Sequence, residues 1–431
     1  MMTLRTLLRR LGREFGRAAR DRSGTVAVMV GLMSTTLVGI VGLSVDVGDW
    51  YFTRRAMQSA ADAAAIGGGV ELLDGASSGT VQTAATDDAL LNGFGTSNGT
   101  TVDVSVSSES VSVTLSKPAN LLFSSLFLSA APTITVSAQA GLVDGTQPVC
   151  ALMTGSSAPD ALYVSGNGII NATGCSMVVD STSTSAINVT GNGQIDTSSI
   201  CTPGGYTSGN NAKFSPTPTT CAAMTDPLAS LTPPSNVNAA CQYTNASYGG
   251  NSQTTISPGV YCGGITIQAN AKVTFQSGVY ILRNGGFSAG SNAVVTGSGV
   301  GIYMTGTGTN VQLSQDDLTV SGNAQVTISA PTTGSMAGIA IYQDHSAPTG
   351  DITNTISGNG NINFTGLLYF GNQNVTITGN GTQDGTAPFT SIIANSLTYS
   401  GNARLDFNSS YQNTSVPSVP GMTLPRVALT E

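Results

Sequence analysis

The chain has 431 residues, of which only 9% are charged: 15 are basic and 23 acidic, for a net charge of −8. This length allows two or three domains of ~100–200 residues each. The low charge argues against a charge-rich disordered chain, and the acidic balance argues against a partner among the nucleic acids. The chain has one histidine, His345, which excludes a multi-histidine metal site and leaves one candidate for Ser–His or Cys–His catalysis.

Basic residues are concentrated at the N-terminus, where 1–24 carries seven arginines against two acidic residues. The apolar run 25–45 follows, and as a helix it would extend ~31 Å, about one bilayer core. A cleaved signal peptide is the alternative, but its apolar region is usually only ~7–15 residues long. Because arginines stay on the cytoplasmic side, we expect 1–24 to be cytoplasmic and the bulk of the chain to lie outside, in the periplasm or its equivalent.

Small residues recur at every fourth position of this transmembrane segment, at Ala27, Gly31, Thr35 and Gly39. Such a stripe suits close packing between membrane helices, although glycine and threonine are also simply tolerated in a bilayer. Beyond the segment, 54–66 is rich in alanine and lacks glycine and proline. We therefore expect the helix to continue outward and to end at Gly67, Gly68 and Gly69.

Several motifs follow one another in this region: Gly24-Thr-Val-Ala-Val, Val45-Asp-Val-Gly48 with Tyr51, and Gln58-Ser-Ala-Ala-Asp62. Over 22–68 the sequence resembles the N-terminal signature of TadE/TadG-like proteins, components of Flp (tight adherence) pilus assembly. The resemblance implies a bacterial inner-membrane protein with its bulk in the periplasm. The signature residues are Asp46, Gly48, Gln58 and Asp62. Prepilins of this machinery are cut after a glycine and carry Glu at the fifth mature position. Cleavage after Gly24 would place Met29 there, so the chain resembles TadG rather than a pseudopilin.

The segment 46–148 predicts an extended helix followed by a small α+β domain next to the membrane. Residues 79–94 predict a helix that ends at Gly93, and the apolar run 121–128 is expected to form a short helix. Alternating apolar and polar residues predict three strands, at 102–106, 111–115 and 133–140. We interpret this domain as a membrane-proximal platform.

A short element recurs in the following domain, 149–412, and 26 of the 29 asparagines of the chain lie beyond Cys150. Its fullest copies read [VIY]-[ST]-Gly-Asn-[Gly/Ala]. The copies are centred on Asn167, Asn192, Asn270, Asn292, Asn323, Asn359, Asn380 and Asn402. Glycine and asparagine suit a tight corner because both tolerate positive φ. Four of the seven intervals are 21 to 25 residues, about one coil of a stacked β structure.

The repeat predicts an all-β, right-handed parallel β-helix (solenoid) with asparagine ladders along the stack; an irregular β-sandwich is the alternative. Within it, 203–234 is rich in Gly, Ser, Thr and Pro and predicts a loop insertion that covers one face or end. The last segment, 413–431, has three prolines and is expected to form a tail.

Six cysteines fall in this domain, at Cys150, Cys175, Cys201, Cys221, Cys241 and Cys262. An even number outside the cytoplasm predicts disulfides. Fifteen pairings are possible and the sequence cannot choose between them, although sequential pairing would let each bridge span about one coil or fasten the loop. No CxxC motif occurs, so we expect neither a zinc site nor a cofactor.

Two acidic motifs raise the question of chemistry. Asp316-Asp317 could supply the two carboxylates of glycoside hydrolysis and superficially resembles the paired-Asp element of polygalacturonases. Those enzymes also need Gly-His-Gly and Arg-x-Lys elements, whereas His345 stands in Asp-His-Ser and no Arg-x-Lys occurs. The run 180–185, Asp-Ser-Thr-Ser-Thr-Ser, resembles the metal-binding loop of von Willebrand A domains but has threonine at two of its D-x-S-x-S positions. We expect a solvated turn at Asp316-Asp317 and a Ser/Thr-rich turn between coils at 180–185.

The sequence thus predicts a non-enzymatic, structural component of Flp/Tad pilus assembly. Its expected partners are other pilus-assembly membrane subunits and the lipid bilayer. The alternative is a periplasmic or cell-surface β-helix protein that binds or cleaves cell-envelope polysaccharide.

Overall fold

The structure is a computed structural model that describes residues 25–306, 317–345, 352–359, 361–379, 382–383, 390–402, 404–409 and 413–430. Segment 1–24, Asp316 and Asn380, all named in the predictions, lie outside the described residues. The described residues form two compact units, one within 25–71, 77–141 and 427–430 and the other within 72–76 and 142–426. The main part of the first unit ends at residue 141 and the second continues from residue 142. The sequence predicts this boundary seven residues later, at 148/149.

The first unit follows the predicted platform closely. Its elements are α1 (Thr25–Leu73), α2 (Ser78–Leu91), β1 (Thr101–Val106), β2 (Ser110–Pro118) and the first part of β3 (Thr133–Met153). β2 pairs with both β1 and β3, antiparallel in each case. Alternating burial along β2 confirms that one face of this sheet is covered, as the alternating sequence predicts.

Two local predictions in this unit are wrong. α1 passes through the three glycines and ends at Leu73. The reason is packing: a methyl group on Gly68 would lie 3.0 Å from Val111 Cγ1, and one on Gly69 would lie 2.7 Å from Val427 Cγ1. These glycines therefore permit close approach and do not terminate the helix. The apolar run 121–128 forms only a 3₁₀ turn, Ser124–Leu126.

The second unit begins within β3 and is rich in short strands, which confirms the predicted β-rich domain after the apolar helix. The described strands are β4 (Leu162–Val164), β5 (Ile169–Val179), β6 (Ile187–Val189), β7 (Gln194–Thr202), β8 (Tyr206–Ser208), β9 (Lys213–Ser215), β10 (Thr219–Thr220), β11 (Tyr243–Tyr248), β12 (Gln253–Ile256), β13 (Gly259–Ile267), β14 (Lys272–Phe275), β15 (Gly278–Arg283), β16 (Phe287–Ala289), β17 (Val294–Ser298), β18 (Val300–Thr305), β19 (Leu318–Val320), β20 (Gln325–Ser329), β21 (Ile339–Gln343), β22 (Thr353–Gly358), β23 (Asn361–Gly379), β24 (Thr382–Gln383), β25 (Thr390–Gly401), β26 (Arg404–Asp406) and β27 (Thr423–Leu429).

Parallel pairing joins these strands into three ladders. The first ladder runs β13–β15–β18–β21–β23–β25–β3–β5–β7–β10. The second runs β11–β13–β16–β19–β22–β23–β25–β4–β6–β8. The third has two described stretches, β12–β14–β17–β20–β23 and β24–β26–β5–β7–β9.

The order of strands along each ladder differs from their order in the sequence. β3, the first strand of the unit, lies in the middle of the first ladder, between β25 and β5. The chain first runs to β10 at one end and then crosses to β11 at the other end. From there it returns strand by strand until β25 pairs beside β3. Asn167 Nδ2 therefore donates to Asn402 Oδ1 at 2.7 Å, although 235 positions separate the two residues.

The corners of the repeat confirm the predicted ladder but correct the role of asparagine. The residue before the asparagine adopts positive φ: 72° at Gly166, 57° at Ala269 and 58° at Ser291. The asparagine side chain is thereby left to bond its neighbours in the stack. In each of two rows, every asparagine side chain donates to the next one. The first row is Asn192, Asn167 and Asn402, and the second is Asn323, Asn292, Asn270 and Asn251.

The central strands of the first ladder, such as β3, β18 and β21, are buried on both sides. One side faces the main apolar core, and the other faces a second apolar cluster that includes Leu152, Val178, Ile281, Tyr342 and Ile393. Leu228 joins this second cluster from the crossing between β10 and β11, here called the crossover segment (residues 222–240). The predicted loop 203–234 is thus wrong for its first part, which carries β8 to β10.

The C-terminal residues do not form the predicted tail. Val416, Val419 and Met422 are buried, and β27 follows them. The backbone N–H of Val149 donates to the Met422 carbonyl at 3.0 Å. This segment packs because Val419 and Met422 join the second cluster and Val416 joins the main core. Its three prolines do not prevent this packing.

Candidate functional site

α1 carries the features that point to a membrane. It is long and apolar enough to cross one, and only 6% of its most apolar 18-residue window is buried. Leu32, Val38 and Val41, for example, are 66%, 65% and 62% exposed. Such exposure of large apolar side chains is foreign to the core helix of a soluble domain, so this surface requires an apolar environment or partner.

The predicted small-residue stripe lies on this surface. Ala27, Gly31 and Thr35 are exposed, and Gly39 is half-buried. Their spacing of four residues places them along one side of the helix. The Thr35 hydroxyl donates to the Leu32 carbonyl at 2.9 Å, so its polar atom is satisfied within α1. Contact with another helix remains a prediction.

Two of the four signature residues tie α1 to the rest of the first unit, and a third, Asp62, bonds one of them within α1. Asp46 is buried, and its Oδ2 accepts hydrogen bonds from the backbone N–H of Phe123 at 3.0 Å and of Ser124 at 2.6 Å. The Ser124 hydroxyl also donates to this oxygen. Gln58 Nε2 donates to Asp62 Oδ1 and to the Ser137 carbonyl, each at 2.9 Å.

Gly48, the fourth signature residue, has open space where a Cβ would stand. Close packing within this chain therefore does not explain the glycine. Asp46 positions the 121–128 loop against α1, Gln58 positions β3, and Asp62 accepts a hydrogen bond from Gln58. The resemblance alone did not specify this structural role.

All six predicted cysteines are paired, in the sequential pattern that the spacing favoured: Cys150–Cys175, Cys201–Cys221 and Cys241–Cys262. The first bridge links β3 to β5. The other two stand at the two ends of the crossover segment and fasten it to β7 and β13. Arg283 adds to the second fastening, because its Nη1 donates to the Ala239 carbonyl at 3.0 Å.

A polar cluster fixes the middle of the crossover segment. Asp226 Oδ2 accepts a hydrogen bond from the Tyr369 hydroxyl at 2.7 Å and lies 3.6 Å from His345 Nε2. The Leu228 N–H donates to Asp226 Oδ1 at 2.9 Å. His345 Nε2 also contacts the Tyr369 hydroxyl. We call Asp226, His345 and Tyr369 the clamp.

Tyrosine rings form a stack beneath the segment. The ring centroids of Tyr303 and Tyr342 lie 5.3 Å apart, and those of Tyr342 and Tyr369 lie 4.4 Å apart, with nearly parallel planes. The Tyr303 hydroxyl donates to Asp344 Oδ2 at 2.8 Å, and that of Tyr342 donates to the Leu228 carbonyl at 3.2 Å. Each buried ring therefore presents its polar end to a fixed acceptor.

Electrostatics in the clamp favour the ion pair. Burial by itself would raise the pKa of Asp226, but its bonds with His345, the Leu228 N–H and Tyr369 hold it below the usual value. The Asp226 carboxylate raises the pKa of His345, against the opposing effect of burial. The clamp is therefore strongest where both groups are charged.

Asp180 behaves in the opposite way. Burial raises its pKa to about 7, against the effect of a hydrogen bond from the Met224 N–H to its Oδ1 at 2.8 Å. The nearby charge of Asp226 adds to the increase. Ionisation of Asp180 near neutral pH thus places an uncompensated charge beneath the crossover segment.

Of the two acidic motifs, the structure describes Asp317 and residues 180–185. Asp317 Oδ2 accepts from the Thr319 hydroxyl at 2.9 Å, a bond within one turn. Residues 180–185 form the predicted turn between β5 and β6, and the Ser181 hydroxyl donates to the Ala158 carbonyl at 2.6 Å. Among the described residues, no three His, Cys, Asp or Glu side chains are grouped so that they could hold a metal ion.

The sequence identified His345 as the single histidine but missed its two partners. Asp226 stands in an Asp-Pro-Leu turn more than 100 positions away, and its only local signal is the preference of aspartate for turns. What the clamp does in this structure is hold the crossover segment on the first ladder.

Comparison with known proteins gives one match. Residues 24–71 match the family model for Flp pilus-assembly TadE/G-like proteins. No curated protein and no solved structure matches the chain. The matched residues contain the apolar part of α1 and all four signature residues. The resemblance of the N-terminal region to TadE/TadG-like proteins is therefore confirmed over residues 24–71.

Proposed function

We propose that this chain is a membrane-anchored, non-enzymatic component of Flp/Tad pilus assembly, TadG-like rather than a pseudopilin. The observation that carries the proposal is the match of 24–71 to the TadE/G-like model, on a helix whose apolar surface is exposed. Absence of Glu at position 29, where methionine stands, supports an anchor that stays in the membrane over a subunit packed into a filament.

The proposed topology has the arginine-rich N-terminus in the cytoplasm and both units in the periplasm. The positive-inside rule supports this orientation. The three disulfides support it independently, because such bonds persist in oxidising compartments and are rare in the cytosol.

The second unit, in this proposal, is a right-handed parallel β-helix that offers its faces to other pilus-assembly subunits. Three parallel ladders with about one asparagine corner per coil support the β-helix. Right-handed crossovers are the rule for parallel strands, which supports the hand.

An experiment in the native bacterium tests this function. Deletion of the gene should reduce surface pili, counted by electron microscopy, and reduce adherence; a plasmid with the wild-type gene should restore both. A reporter fused after Ala140 that is active only outside the cytoplasm tests the topology. Normal piliation in the deletion strain would contradict the function, and an inactive exported reporter would contradict the orientation.

Polysaccharide binding is the alternative function, and the tyrosine stack bears on it. A sugar-binding solenoid needs aromatic rings exposed in a row. Tyr303, Tyr342 and Tyr369 do form a row, but their rings are buried and their hydroxyls are bonded within the protein. The stack thus gives no support to a polysaccharide site.

A further inference from the structure

The 3₁₀ turn in the first unit belongs to an apolar loop that α1 does not cover. The loop, residues 121–128, reads Leu-Leu-Phe-Ser-Ser-Leu-Phe-Leu. Leu126, Phe127 and Leu122 are 80%, 70% and 62% exposed, which is as exposed as the apolar side chains of α1 itself. A run of large apolar side chains in water would be costly, and the fold offers them no cover within the described residues of this unit.

Contacts place the loop beside the apolar half of α1. A Cβ on Gly42 would lie 2.7 Å from Phe123 Cγ, and one on Gly39 would lie 4.0 Å from Phe127 Cζ. At 1.5 Å per residue, Gly42 and Gly39 lie about 5 and 9 Å before the end of the apolar run 25–45. The loop therefore lies beside the last two turns of the apolar run 25–45. At that level α1 itself would be surrounded by hydrocarbon.

Five backbone N–H groups of the loop have partners within the protein. The backbone N–H groups of Phe123 and Ser124 donate to the buried Asp46 carboxylate. Those of Leu126, Phe127 and Leu128 donate to carbonyls within the loop at 3.2, 2.9 and 2.8 Å. Irregular backbone is tolerated at membrane depth only where its polar groups find such partners.

A tryptophan marks where the loop begins. Trp50 Nε1 donates to the Asn120 carbonyl at 2.8 Å. Tryptophan favours the interface between headgroups and hydrocarbon, so this bond joins the start of the loop to the level at which α1 would leave the membrane. Two residues of α1 thus bond the loop: Trp50 at the residue before it, Asn120, and Asp46 at Phe123 and Ser124.

We propose that the 121–128 loop inserts into the lipid bilayer beside α1, as a second membrane-embedded element of the platform. The inference rests on the proposed membrane anchor and adds to it a specific lipid-facing surface. The embedded depth of about 5–10 Å is that of interfacial elements that reach the headgroup–acyl boundary. Such a wedge fixes the rotation and tilt of α1, which a single helix alone leaves free.

Site-directed fluorescence tests the loop directly. All six native cysteines are in disulfides, so Leu126→Cys can be labelled selectively with an environment-sensitive fluorophore in the full chain. The labelled protein is reconstituted in phosphatidylcholine–phosphatidylglycerol vesicles and quenched with acyl-chain nitroxide lipids or with aqueous iodide. Leu91→Cys is the matched control, because Leu91 is 82% exposed but lies on α2.

The expected result is roughly threefold stronger lipid quenching at position 126 than at position 91, with the reverse order for iodide. A third variant, Val38→Cys on α1, tests the anchor separately. Iodide quenching at position 126 together with lipid quenching at position 38 would refute insertion of the loop but would still support α1 as the membrane anchor. Failure of lipid quenching at 38 would overturn both. Protection of 126 from both quenchers would show a protein partner there and would also overturn the proposal.

Discussion

The clamp makes a quantitative prediction about the crossover segment. Tyr369→Phe removes the hydroxyl that donates to Asp226 Oδ2 at 2.7 Å and leaves the ring stack intact. A hydrogen bond to a charged group contributes about 1.5–3 kcal/mol. Local opening of residues 222–240 should therefore become about 10- to 150-fold more frequent.

Hydrogen exchange measured by mass spectrometry on the full chain in detergent is the assay, read on peptides that contain the Met224 and Leu228 amides. Tyr342→Phe is the matched control, because it removes a hydroxyl from the same stack that donates to a neutral carbonyl, that of Leu228, at 3.2 Å. Loss of a neutral hydrogen bond costs about 0.5–1.5 kcal/mol, so exchange should accelerate only about 2- to 12-fold.

A double-mutant cycle sharpens the test. In an Asp226→Asn background, Tyr369→Phe should accelerate exchange no more than Tyr342→Phe does, because the charged acceptor is gone. The reasoning is refuted if Tyr369→Phe and Tyr342→Phe have equal effects in the wild-type background. It is also refuted if exchange of residues 222–240 is unchanged in both.

Two further predictions concern pH and the corners. The pKa of Asp180 is raised from its ordinary 3.8 to about 7, so its contribution to stability is full below pH 3.8 and is lost as the pH rises through 7, by at most about 4 kcal/mol. Asp180→Asn should therefore reduce the decrease in the free energy of unfolding between pH 5 and 7, measured by urea unfolding followed by circular dichroism. The same dependence on pH in the variant as in the wild type would contradict the assignment. Ala269→Gly should raise the free energy of unfolding by about 0.5–1 kcal/mol because Ala269 has a φ of 57°, which glycine adopts more easily. Ala271→Gly, at a buried site of the same corner, should lower the free energy of unfolding. A loss of stability in Ala269→Gly would show that the corner does not strain the backbone.

Sequence patterns predicted the features that depend on near neighbours. Apolar composition over 25–45 predicted the long exposed helix, and alternation over 102–140 predicted the three antiparallel strands. The Gly-Asn spacing predicted corners and asparagine ladders, because each corner is made by four or five consecutive residues. Cysteine spacing favoured the observed pairing, since each bridge joins sites about one coil apart. Each of these features is encoded within one short window of chain.

Tertiary structure decided what those windows join. The sequences of β25 and β3 do not indicate that these two strands pair. The strands of the repeat are similar to one another, so each could pair with several others. The crossover to the far end of the stack, not the repeat itself, selects that pair. The clamp has the same origin: Asp226, His345 and Tyr369 meet only because the crossover segment lies over the first ladder. The sequence alone therefore determined the kinds of element and their spacing, while their order and the polar contacts between distant residues depended on the path of the whole chain.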